Sequence, residues 1–341
     1  MNFVIKKLKG SKTTILVFIA VALIILFRIL NPHFLTPGSV RTIFNASSLA
    51  GVLAIGVGCL FISGQVDLSS GGIGCLSGVL FAVLLGGSGF WAFDGISWPL
   101  AFVIVIIFGA VSGLVTSFFV NFINISAFIV TLAMTEVFRG LAQYISNSQT
   151  VPIHAEGFNA MGGVVGNSPV PISFVIMTSL FLIYGFILAR TQFGRRIYVC
   201  GGNRNAARLA GVNPKKIHTI LFVNNGVIAA FGGLLLSSRM QSAGFTSVLG
   251  TEFDAITAAV LGGIAFTGGR GDMAGAYVGV MLLTIFNVGL IGLQARPSWM
   301  LFARGAILVI ALTVDFFRER AVEKALKART EVAAETQEVV G

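Results

Sequence analysis

The chain has 341 residues, of which 55% are hydrophobic and only 11% charged, whereas an ordinary soluble domain carries roughly 25% charge. So few charges cannot cover a water-soluble globule, and the apolar residues fall in runs of roughly 18 to 24, enough to cross a hydrocarbon core about 30 Å thick. Disorder and collagen are excluded by the same composition, and 42 glycines suit membrane helices that must approach closely. The sequence reads as an all-α polytopic membrane protein.

In chain order, apolar segments lie near 13–30, 44–62, 73–86, 98–120, 122–145, 170–189, 217–238, 253–264, 273–291 and 299–317, which predicts about ten transmembrane helices. The third and eighth are too short for a full span, so short or broken helices are expected near 63–86 and 253–272. Residues 1–317 form one transmembrane domain, and 318–341 a charged, alanine-rich tail of helical character. Ile15 to Phe27 follows lysines as a secretory signal would, but Arg28, Asn31, Pro32 and His33 stand where a small-residue cleavage site belongs. An uncleaved first span is expected.

Lysine and arginine set the orientation, because cytoplasmic loops retain positive charge during insertion. Sorting the loops of a ten-span chain places 17 of the 23 basic residues on one side, seven of them between Arg190 and Lys216. Both termini are therefore expected in the cytoplasm. The net charge of +10 is accounted for by this asymmetry and by anionic inner-leaflet lipid, with no nucleic-acid partner. Cys59, Cys75 and Cys200 have neither disulfide nor metal spacing.

Polar residues inside apolar runs are the candidates for function. Glu136 is the carboxylate most clearly within a long span, and Arg139 is one helical turn away, so the two form either an internal ion pair or a polar lining for a solute route. Asn224, Asn225 and Asn287 place amides in two other spans, able to bond a hydroxylated solute or a neighbouring helix. Asp67, in Ser63-Gly64-Gln65-Val66-Asp67-Leu68-Ser69-Ser70-Gly71-Gly72, reads as a cap at a tight reversal or as part of the route. Glu252 and Asp254 stand at a helix start, where the dipole favours carboxylates, just before the glycine-rich stretch 261–271. Gly10-Ser11-Lys12-Thr13 lacks the earlier glycine of a phosphate-binding loop, so no ATP site is expected in this chain.

The segment Thr191–Asn213 is the most informative. Asn203 is placed to cap a short helix from Arg204 to Ala210, which Gly211 would end, leaving a compact helix displayed beyond the membrane. This segment resembles the coupling loop of permease subunits of ribose-type sugar ABC transporters. The resemblance extends over about residues 40–315: the Ser-Gly-x-x-Asp-Leu-Ser-x-Gly pattern at 63–71, Phe128-Ile129-Val130-Thr131-Leu132 with Arg139-Gly140, and Glu252-Phe253-Asp254-Ala255-Ile256 are similar to that family's. Gln65 departs from its usual glycine, and Val288 after Asn287 from its usual polar residue.

The resemblance implies a subunit, not itself an enzyme, of an importer in a prokaryotic inner membrane. It would carry a neutral monosaccharide delivered by an extracytoplasmic binding protein. It would pair with a second permease and with two cytoplasmic ATP-binding subunits, which hold the ATP and Mg; no cofactor is implied in this chain. Coupling would fall on Gly202, Asn203, Asn205, Ala206, Ala207, Arg208, Leu209 and Gly211, and the substrate path on Asp67, Thr131, Glu136, Asn224, Asn225, Glu252, Asp254 and Asn287. The alternatives are an ion-coupled secondary transporter with broken helices, an ABC permease for a branched-chain amino acid, and an intramembrane enzyme.

Overall fold

A computed structural model describes the backbone of residues 2–86 and 95–340, with side chains outside 2–12, 318, 319 and 321–340. The basic residues expected at the amino terminus, and all those expected in the tail except Arg320, therefore lie outside the described side chains.

Each of the ten apolar segments is a helix, and their ends have local causes. α1 (Asn2–Leu30) stops where Arg28 donates to the Pro32 carbonyl at 2.6 Å. α2 (Pro37–Ile62) starts seven residues before the expected boundary, because Thr36 caps it and Pro37 is its first residue, a position that tolerates a missing N–H. α3 (Ser70–Leu84) has 15 residues, about 22 Å at 1.5 Å per residue, short of a bilayer core. α4 (Trp98–Asn121) and α5 (Ala127–Ile145) are separated by a turn through Asn124, whose φ of +63° delays the start of α5 by five residues from the boundary expected at 122.

A strand β1 (Val151–Pro152), the single-turn α6 (Glu156–Asn159) and a 3₁₀ turn follow. Then come α7 (Ile172–Arg190), α8 (Gln192–Gly202), α9 (Arg204–Leu209) and α10 (Pro214–Met240). β2 (Ser242–Ala243) pairs antiparallel with β1. α11 (Thr251–Leu261), α12 (Met273–Gly292) and α13 (Pro297–Val340) complete the chain. Among the described residues seven helices are long and apolar enough to cross a membrane: α1, α2, α4, α7, α10, α12 and the first part of α13. α3 and α11 are too short to meet that measure, and α5 carries Glu136 and Arg139 in its middle.

α2 is the axis of the bundle. Ala50 to Ile62 are buried on every side, as expected of a helix apolar all round. α10 runs antiparallel beside it: His218, near the start of α10, meets the Ser63 carbonyl, and Arg239, at its end, donates to the Asn45 carbonyl at 3.0 Å. α3 and α4 pack on α10, α11 and α12 pack on α2, and α5 lies on α3. At the α4–α10 crossing Gly109 and Gly226 bring the two backbones into contact, which any Cβ would prevent. α1, α7 and α13 lie outside, with large apolar side chains such as Phe18, Leu182 and Leu301 facing outward as lipid-exposed helices require.

Candidate functional site

Asparagine caps build the 191–213 loop. The Asn203 Oδ1 accepts from the amides of Asn205 (2.9 Å) and Ala206 (3.0 Å), satisfying two donors at the start of α9. Gly211, with φ of +74°, closes that helix: its N–H donates to the Arg208 carbonyl at 3.0 Å, and the Val212 N–H to Ala207 at 2.9 Å. Asn213 then accepts from Lys216 N–H and starts α10. Ala207 is buried and anchors α9, while Leu209 is 91% exposed at its tip. Gly202, Asn203, Asn205, Ala206, Arg208 and Gly211 are exposed around it.

Three loops meet beneath this helix. The Ile62 carbonyl, ending α2, accepts from Gly269 N–H at 2.8 Å and lies against the α-carbon of Gly201. Arg204 donates to the Gly64 carbonyl at 3.3 Å, and the Tyr198 hydroxyl to Gly271 at 2.7 Å. The Gln65 amide lies 3.1 Å from His218 Nδ1, and His218 Nε2 lies 3.2 Å from the Ser63 carbonyl, an arrangement that puts the ring proton on Nε2. The α2–α3 turn, the α11–α12 turn and the 191–213 loop are thus stitched together at one end of the bundle.

The intramembrane polar residues divide into separate groups. Asp67 is fully buried; Ser69 donates to its Oδ1 through both N–H (2.7 Å) and hydroxyl (2.6 Å), and Asn225 donates to its Oδ2 at 2.9 Å. Asp67 therefore holds the turn before α3 and ties it to α10; it does not cap the first turn of α3. Asn224 is one residue before Asn225, about 100° around the helix, and accepts from the Tyr184 hydroxyl on α7. Thr131 is buried and returns its hydroxyl to the Ala127 carbonyl at 2.8 Å. Glu252 is buried against Gly71 of α3, its Oε2 without a partner.

Asp254 and Asn287 come together at the opposite end of the bundle, in a cavity of about 260 Å³ also lined by Thr251, Arg239 and Arg304. Arg304 pairs with Asp254 at 3.3 Å, and the Asn287 Oδ1 is buried with no protein partner. Arg239 donates to the Asn45 carbonyl, so the cavity offers one ion pair, one further guanidinium and uncharged hydrogen-bonding groups. Sequence reasoning missed Arg239 and Tyr184: Arg239 ends an apolar run and reads as a loop charge, and a single tyrosine in a span carries no signal of its partner. Glu136 stands apart from all of these, 3.5 Å from Arg139 on the outer face of α5, with 68% of its side chain exposed.

The exposed, asparagine-capped α9, anchored on two turns of a helical bundle, is an arrangement compatible with a transport permease, and the comparisons show that class. Residues 39–312 match the family described as branched-chain amino acid transport system / permease component, and the chain belongs to that family. Similar curated proteins include the L-arabinose ABC transporter permease protein AraH of Azospirillum brasilense, 33% identical over 88% of this chain and 87% of the relative. The ribose import permease protein RbsC of Bacillus subtilis is 32% identical over 86% of this chain and 89% of its own length. The galactose/methyl galactoside import permease protein MglC of Escherichia coli is 32% identical over 90% and 93%. No solved structure matches.

Proposed function

We propose that this chain is the translocation subunit of an ATP-driven importer for a neutral monosaccharide, with ten crossings and both termini in the cytoplasm. The observation that carries the proposal is the junction at Ile62. A displacement of α9 by a cytoplasmic partner would pass through Gly201 and Arg204 to the end of α2 and to the α11–α12 turn, and a bundle with two arrangements would be biased by it. ATP and Mg reside on the partner ATPase subunits, and a binding protein delivers the solute at the other face. The sugar assignment is supported by the names of the arabinose, ribose and galactose relatives.

The exposed face of α5 supports pairing with a second permease. A charged side chain facing lipid at mid-span costs on the order of 2.5–3.5 kcal/mol, so Glu136 and Arg139 face a wet route or a partner copy. Co-purification tests the coupling role. ATPase subunits expressed with the chain should be retained by it, and replacing residues 203–211 with a glycine-serine segment should release them. Retention unaffected by that replacement would refute coupling through α9.

A further inference from the structure

At the end of the bundle that carries the 191–213 loop, a cavity of about 440 Å³ opens between α9, the start of α10, the α2–α3 turn and the α4–α5 turn. Arg204 and Arg208 line it from α9, Lys215 and His218 from the first turns of α10. Among the described residues lining it there is no carboxylate. A concave wall with three cations and no counter-charge concentrates positive potential where only an anion relieves it. Two of the cations are held in place: Arg204 by its bond to the Gly64 carbonyl, and Lys215 with its Nζ 6.0 Å from the centroid of the Phe122 ring. At the rim, Ser126 precedes α5 without making a side-chain cap, so the first-turn amides add to the same field.

We infer that this cavity binds a phosphate ester, its oxyanion between Arg204, Arg208 and Lys215 and its alcohol portion towards Asn124 and Ser126. Guanidinium forks pair bidentately with phosphate as with carboxylate, and three cations around one cavity suit the greater charge and the additional acceptor oxygens of a phosphate ester. The ester has two sources of the same chemistry: the headgroup of an anionic phosphoglyceride at the membrane surface, or a free phosphorylated metabolite. Arg204 and Arg208 belong to the helix proposed to dock the ATPase, so the site is tested on the chain without its ATPase subunits.

The full chain in neutral detergent, freed of anionic lipid, is titrated with glycerol 3-phosphate and, at matched ionic strength, with potassium chloride, while thermal unfolding is followed. The expected result is a saturable rise in the midpoint with glycerol 3-phosphate only. Apparent affinity should fall roughly tenfold in Arg208→Gln and again when Lys215→Gln is added. In phosphatidylcholine nanodiscs containing a minority of phosphatidylglycerol, native mass spectrometry separates the sources. Phosphatidylglycerol retained by the wild type and lost in Lys215→Gln assigns the lipid, whereas binding of the soluble ester alone assigns a metabolite. An equal shift with chloride, binding of neither ester, or undiminished binding in the double variant overturns the inference. The comparison with chloride needs no variant, so the inference stays testable if a substituted chain unfolds.

Discussion

Gly201, near the end of α8, lies against the carbonyl of Ile62, the last residue of α2, with no room between them for a Cβ. The adjacent Gly202 has open space around it. Gly201→Ala should therefore force the loop away from α2 and cost about 1–3 kcal/mol, the usual range for overpacking, while Gly202→Ala should be close to neutral. Thermal unfolding of the two purified variants checks this. Equal midpoints would remove the junction from the account.

Asn203→Ala removes the acceptor for two amides at the start of α9 and should cost about 1 kcal/mol locally. Nucleotide-stimulated transport should fall while the bundle's unfolding midpoint barely moves, and Asn203→Asp, also a good cap, should restore it. A variant as active as the wild type would show that α9 order is not needed.

Asp67 and Asn225 join the α2–α3 turn to α10 across a fully buried bond of 2.9 Å. Asp67→Ala leaves Asn225 and Ser69 without their acceptor, and Asn225→Ala leaves a buried carboxylate with fewer donors; each should cost about 1–3 kcal/mol. The pair should be non-additive by about 1 kcal/mol or more in a double-mutant cycle of unfolding. Additive costs would mean that the bond does not contribute.

The helices and the caps of α9 were legible because both signals are local: apolar runs of spanning length, and Asn203 and Gly211 at fixed offsets in one loop, whereas Asn213 as the cap of α10 was not read. The start of α5 was not legible, because Phe122 and Ile123 continue the apolar run and only the left-handed backbone at Asn124 breaks it. Side-chain partners were also out of reach. Nothing in spacing says that Asp67 faces Asn225, 158 residues away, or that Asp254 and Asn287 share a cavity with Arg239. Those relations depend on how the helices cross, and the crossings are set by non-local contacts such as Gly109 against Gly226.

Glu136 tests whether the outer face of α5 is wet. Cys59, Cys75 and Cys200 are buried, so in a background lacking them Glu136→Cys should react with a membrane-impermeant thiol reagent in the assembled transporter. Leu182→Cys on α7, 71% exposed towards lipid, should react far more slowly. Equal protection of both would exclude a wet route at Glu136 and leave only a dry interface with a second permease.

The most direct measurement of the central claim is solute uptake by proteoliposomes containing this chain, with and without its ATPase subunits and binding protein. A neutral monosaccharide should accumulate only when all components and ATP are present, with no response to a proton or sodium gradient. Uptake by the chain alone, or uptake driven by an ion gradient, would contradict it.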